Sequence, residues 1–216
     1  MSNRNRNIQY QLPLHEKIIL LYDVSGATLW WCCLGRLLIL LPLVGRRFLP
    51  GGIADFFHIV AITPFINSIF FKFNKFKWSN LWSIINSIKI VWLCFGLISS
   101  FTRIAKHTTY SILIFSYCLQ YGIHYSYYAF RIKFRTTPWF LFWLQYNNFY
   151  LTYPLQTVSE MVLIFLCLQF TPDDSWYELG LKGLFLAYIP IAYFAWQHFE
   201  SRKQAKYTSI IEKQNA

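Results

Sequence analysis

The chain has 216 residues, of which 56% are hydrophobic, 21% aromatic and only 13% charged, with a formal net charge of +11. A soluble domain carries about 25% charged residues, so too little polar surface is present to cover a water-soluble body. The basic excess has no soluble module to carry it, which excludes a nucleic-acid-binding protein and leaves topological signalling and contact with anionic membrane lipid.

Stretches of about 20 mainly apolar residues are long enough to cross a bilayer. The sequence predicts six, giving an all-α polytopic membrane protein built as one domain over residues 1–216. The first, about 18–44, carries Asp23 and Arg36, nearly four turns apart and too distant to pair on one helix. Gly45-Arg46-Arg47 closes it. The second, about 51–71, is the weakest, because Asp55, His58, Pro64 and Asn67 interrupt it; merged or re-entrant, it would leave five spans. The third, about 79–102, holds Lys89.

The fourth, about 108–130, places Tyr117, Tyr121, His124 and Tyr128 at i, i+4, i+7 and i+11, a single stripe along a helix. A packing face is the favoured reading of that stripe, and a polar cavity facing the fifth helix is the alternative. The fifth runs from about 138 to 168, and the sixth, with His198, from about 178 to 200.

Six spans place both termini on one side, together with the second and fourth loops. That side holds thirteen of the twenty Lys and Arg: Arg4, Arg6, Lys17, Lys72, Lys75, Lys77, Arg131, Lys133, Arg135, Arg202, Lys203, Lys206 and Lys213. The other side holds Arg46, Arg47, Arg103, Lys106 and Lys182, and this asymmetry predicts both ends in the cytosol, or in the matrix of a mitochondrion. The five cysteines, Cys32, Cys33, Cys94, Cys118 and Cys167, all fall inside predicted spans without zinc-like spacing, so they read as packed thiols and no metal site is expected.

Ionisable groups in a membrane interior are costly and are candidates for function by default. The fifth stretch has the sharpest set. Tyr146, Tyr153 and Glu160 are seven residues apart, which returns to within about 20° of the same helix face. Tyr153 and Glu160 are then two turns, or about 10.5 Å, apart. Pro154 cannot donate to the Tyr150 carbonyl, so a bend is expected beside the phenol. Glu160 has no Lys or Arg at i±3 or i±4. A carboxyl so placed is a candidate general acid or base; hydrogen-bonded to a neighbouring helix, it would equally be a structural group.

These residues resemble a known family. Tyr146-Asn147 … Tyr153-Pro154 … Glu160 is similar to the fifth-helix motif of the very-long-chain (3R)-3-hydroxyacyl-CoA dehydratases, the protein-tyrosine-phosphatase-like A family, where the pattern is R-Y-x-x-F-x-x-L-Y-P-x-G-x-x-x-E. Tyr188-Ile189-Pro190 resembles the sixth-helix Y-x-P, and Tyr125-Ser126-Tyr127-Tyr128 the end of the fourth-helix pattern. Tyr22-Asp23 with Trp30, and Asp55 with His58, resemble first- and second-helix signatures more loosely.

The resemblance implies six helices with cytosolic ends, location in the endoplasmic reticulum membrane, and a lyase without cofactor. Its reaction would remove water from a (3R)-3-hydroxyacyl-CoA to give a trans-2-enoyl-CoA during fatty-acid elongation, beside the other elongation enzymes. By position, Tyr153 and Glu160 would be the catalytic pair. Tyr146, Tyr121, His124, Lys89 and Gln145 would support them, the last four standing where the family has Glu, Arg, Arg and Arg. Arg131, Lys133 and Arg135 would face the polyanionic CoA. The replaced charges and the aromatic-rich surface give a second reading, a degenerate relative serving as a structural subunit of a membrane complex, mitochondrial respiratory or ATP synthase complexes included.

Overall fold

The computed structural model describes residues 12–46, 49–72, 78–101, 103–172 and 175–215, and their side chains except those of 71–81, 211 and 213–215. Arg4, Arg6, Arg47, Lys75 and Lys77 of the charge pattern lie outside the described residues, as do the side chains of Lys72 and Lys213. Every regular element among the described residues is helical.

Helix α1, Leu14–Val44, ends at Gly45, whose φ of 74° lies in the left-handed region open to a residue without Cβ, and whose N–H donates to the Leu41 carbonyl. The second predicted span is broken into pieces: a π-helical turn at Leu49–Ile53, α2 at Ala54–Ala61, α3 at Thr63–Asn67, and a second π-helical turn at Ser68–Lys72. The interruption falls where Pro64 stands at the start of α3 and removes a backbone donor. Helix α4, Trp78–Val91, continues into a π-helical stretch at Trp92–Ile98.

Helix α5, Thr108–Phe134, is followed by α6, Trp139–Asn147, α7, Phe149–Phe170, and α8, Trp176–Asn215. The chain breaks at Asn148, between α6 and α7, nearly two turns before Pro154, and α7 runs on through Pro154 itself.

Four helical stretches are long and apolar enough to cross a membrane: Leu14–Val44, Leu49–Phe70, Trp139–Phe170 and Trp176–Ile210. Trp82–Ile98 is apolar but shorter. Helix α5 has the length, but its Tyr, Ser, Gln and His residues lower its hydropathy. Its position accounts for that composition. It packs along α1 on one side and α7 on the other, so its polar atoms meet protein.

The α1–α5 contact is close because each helix contributes a glycine. A Cβ on Gly26 would come within 3.1 Å of the Tyr125 ring, and one on Gly122 within 3.1 Å of Trp31. Small residues that admit a neighbouring aromatic are the usual device for close helix contact in lipid, where no hydrophobic force separates protein from solvent. The α2–α3 junction is tied to α1 at Thr63. Its carbonyl accepts from the Tyr22 hydroxyl, and its Oγ1 accepts from the Trp30 indole at 3.1 Å.

Candidate active site

Glu160 lies at the centre of the bundle, completely buried on α7. Lys89 of α4 donates to its Oε2 at 2.9 Å, and the Tyr117 hydroxyl of α5 donates to its Oε1. The Lys89 ammonium also lies 3.5 Å from the Tyr188 hydroxyl of α8, and 6.0 Å and 5.9 Å from the centres of the Tyr117 and Tyr188 rings. Four helices therefore meet around one carboxylate and one cation. The geometry suits a buried pair, because both carboxylate oxygens accept and the ammonium is further screened by two aromatic faces.

Tyr117 is held in place from behind. Its ring stacks on Tyr121 at 6.1 Å and 9°, and Tyr121 stacks on Trp30 at 4.9 Å. Beyond it, Tyr121 meets His124 and His124 meets Tyr128, so the stripe of the sequence is a continuous column of rings. The column packs, as favoured from the sequence, its first member reaches Glu160, and Tyr121 and His124 also line a cavity with residues of the fifth stretch, as the alternative reading had it.

Tyr153 is buried on the same helix, but the structure does not place it in hydrogen-bond contact with Glu160. Its hydroxyl donates to the Ala192 carbonyl of α8 at 3.2 Å, and its ring sits among Trp196 and Phe199. Tyr146, beyond the break at Asn148, packs against Tyr127 and Phe142.

The remaining sequence candidates fall into two groups. Gln145 and His124 share a hydrogen bond of 3.1 Å between the side-chain amide and Nδ1. They line a cavity of about 120 Å3 together with Tyr121 and Tyr146. Tyr153, Glu160 and Lys89 are not among its lining residues.

Arg131, Lys133 and Arg135 close α5 at the end of the bundle. Arg131 and Lys133 are exposed, while Arg135 is paired with Glu16 of α1 at 2.5 Å. Elsewhere His58 shares a 3.1 Å hydrogen bond with the Tyr110 hydroxyl, and Arg36 lies over the Phe56 ring. No group of three or more His, Cys, Asp or Glu among the described residues could hold a metal ion.

The sequence profile of the family described as protein tyrosine phosphatase-like protein, PTPLA, matches residues 76–209, well over half of the chain. The chain belongs to the PTPLA family. It is 28% identical over 199 residues to the beta-1,6-glucan synthesis-associated protein KEG1 of Saccharomyces cerevisiae, covering 86% of this chain and 96% of that protein. It is also 28% identical to the very-long-chain (3R)-3-hydroxyacyl-CoA dehydratase PASTICCINO 2 of Arabidopsis thaliana, over 44% of this chain and 42% of that enzyme. The probable very-long-chain (3R)-3-hydroxyacyl-CoA dehydratase of Schizosaccharomyces pombe is 24% identical over 67% of this chain and 70% of its own length. No solved structure matches the chain.

Within this PTPLA chain, sequence reasoning missed three groups. Tyr117 was visible as part of a stripe, but its contact with Glu160 joins positions 43 residues apart. Gln156 stands where the family has glycine; it is buried and donates to Gln120 across the α5–α7 contact. Arg202 was counted only as a topological charge, yet it lines the cavity. It stands about two helical turns after Ala195, a buried residue of α8, so it shares that face.

Proposed function

We propose that the chain is a membrane-embedded lyase of the 3-hydroxyacyl-CoA dehydratase type, removing water from a (3R)-3-hydroxyacyl-CoA to give a trans-2-enoyl-CoA in very-long-chain fatty-acid elongation. The observation that carries this reading is the buried Glu160 carboxylate, fixed by Lys89 and Tyr117 on the same helix as Tyr153. Elimination needs a base for the proton at C2 and an acid for the hydroxyl at C3, and a carboxylate and a phenol can divide these tasks. Glu160 accepts two hydrogen bonds and takes the base role, while Tyr153, whose hydroxyl donates to the Ala192 carbonyl, takes the acid role. The C2–H electron pair becomes the new double bond, and the C3 oxygen leaves as water.

In this reading the spans are six, with both ends in the cytosol and the protein in the endoplasmic reticulum membrane beside the other elongation enzymes. Exposed Arg131 and Lys133 attract the CoA phosphates, with Arg135 joining when it releases Glu16. The acyl chain enters from lipid by parting α4 and α8, the helices that supply Lys89 and Tyr188.

Assay of the purified protein in lipid with long 3-hydroxyacyl-CoA tests this. Tyr153→Phe and Glu160→Gln are each expected to lower kcat by about 100-fold or more. Full activity in both variants overturns the assigned roles.

One observation favours a second reading. The match to the glucan synthesis-associated protein spans 96% of that relative, whereas the match to the Arabidopsis dehydratase spans 42% of its length. On that reading the fold is retained without turnover, as a subunit of a membrane assembly serving beta-1,6-glucan synthesis. Depletion of the protein in its own cells then lowers wall beta-1,6-glucan while fatty-acid chain lengths stay unchanged; the reverse pattern supports the lyase.

A further inference from the structure

The cavity beside the Glu160 centre has a chemistry of its own. Helix α4 contributes Ser83, Asn86 and Ser87, α5 contributes Gln120 and His124, and Gln145 closes it from α6. Its lining residues include no carboxylate, and the single Lys or Arg among them is Arg202, an exposed residue at its rim. Trp82 lines the same wall with its ring, while its indole N–H is buried away from the accessible space.

Ser87, Gln120, His124 and Gln145 are hydrogen-bonded within the protein, and polar side chains gathered from several helices inside a bilayer are the usual lining of a polar ligand path. Aromatic surfaces of Tyr121, Tyr125 and Tyr146 complete the wall, offering flat apolar faces to the C–H side of such a ligand. The cavity, of about 120 Å3, has room for a short polyol.

We infer that this cavity binds the phosphate ester of a short polyol, presented as the headgroup of an anionic phospholipid: the phosphate rests on Arg202 at the rim, and the hydroxyls reach Asn86 and Ser83 inside. Glu160, Lys89 and Tyr153 lie outside the lining, although Tyr121, His124, Gln145 and Tyr146, which the family resemblance sets in support of the catalytic pair, are part of it. An arginine suits the phosphate by its bidentate donors, and uncharged amides suit hydroxyls because they both donate and accept.

The test uses the full chain purified in detergent and loaded with a fluorescent phosphatidylglycerol. Unlabelled phosphatidylglycerol is expected to displace the probe about tenfold better than phosphatidic acid with the same acyl chains, since only the former carries glycerol hydroxyls. Arg202→Ala, an exposed position where folding is not at stake, weakens binding of both lipids. Asn86→Ala removes the preference between them and leaves phosphatidic acid binding unchanged. Displacement by free glycerol 3-phosphate at the same concentration as the lipid would assign the polyol phosphate to an aqueous source, with the same recognition. Equal displacement by phosphatidylglycerol and phosphatidic acid in the unaltered protein overturns the inference, as does a preference that survives both substitutions.

Discussion

Tyr117 shows how much one hydroxyl carries here. Its ring is fixed between Lys89 and Tyr121, and its oxygen supplies one of the two hydrogen bonds that Glu160 accepts. Tyr117→Phe keeps the stack and removes that donor, leaving a buried carboxylate oxygen short of a partner. A loss of about 1–3 kcal/mol of stability is expected, read from thermal unfolding in detergent. Tyr121→Phe, which preserves the stacking, is the control and leaves stability nearly unchanged; equal losses in both would show that the Glu160 contact contributes nothing. At this scale the sequence disclosed identities better than partners. Glu160 has no Lys or Arg within a turn on its own helix, and the resemblance sets Lys89 only in general support of the catalytic pair; each is the other's partner. The pairing was illegible because helical periodicity constrains neighbours within a turn or two, and these two are 71 residues apart.

Among the elements, α4 is held to α7 by that ion pair and α1 to α5 by apposed glycines. Removing one member of a buried pair strands the other, so Lys89→Met should destabilise the protein by about 3–5 kcal/mol. The double change Lys89→Met with Glu160→Leu should recover most of that loss, because neither charge remains. A double variant no more stable than the single one would show that the pair is not coupled. For α1–α5, Gly122→Val drives methyl groups toward Trp31 and should cost about 1–3 kcal/mol, measured in the same unfolding assay. Gly35→Ala, where a Cβ meets nothing within 4 Å, is the matched control.

Element boundaries were legible where apolar runs were clean. The predicted fifth span of about 138–168 corresponds to α6 and α7 at 139–170, and the fourth, about 108–130, to α5. The sixth extends well beyond about 200, because the basic residues after His198 are good helix formers and continue α8 to Asn215. The second and third spans fragment into π-helical turns, which no periodicity in the sequence announces.

Across the described residues, several basic side chains gather at one end. Arg131, Lys133 and Arg135 close α5, Arg135 reaches Glu16 at the start of α1, and Tyr207 of α8 accepts from Asn147 of α6 at 3.0 Å. Protease protection of tags at the two termini in sealed microsomes measures the arrangement. Both tags are expected to be digested without detergent, and protection of either one argues against six spans. The family was readable from the Tyr-Pro and Glu spacing, because those residues sit on one regular helix. The cavity was not, since its wall is assembled from short polar side chains on helices that only folding brings side by side.

The distance along the chain between Lys89 and Glu160 also sets a timetable for biogenesis. At ribosomal speeds of about 5–20 residues per second, the lysine is synthesised roughly 4–14 s before its counterpart exists. Through that interval its ammonium must shelter at the headgroup level, its methylene stem stretched toward water. Helix α4 is therefore expected to complete its seating late, after the ribosome has delivered the fifth stretch, and a chain truncated before residue 160 would leave the Lys89 ammonium without its carboxylate.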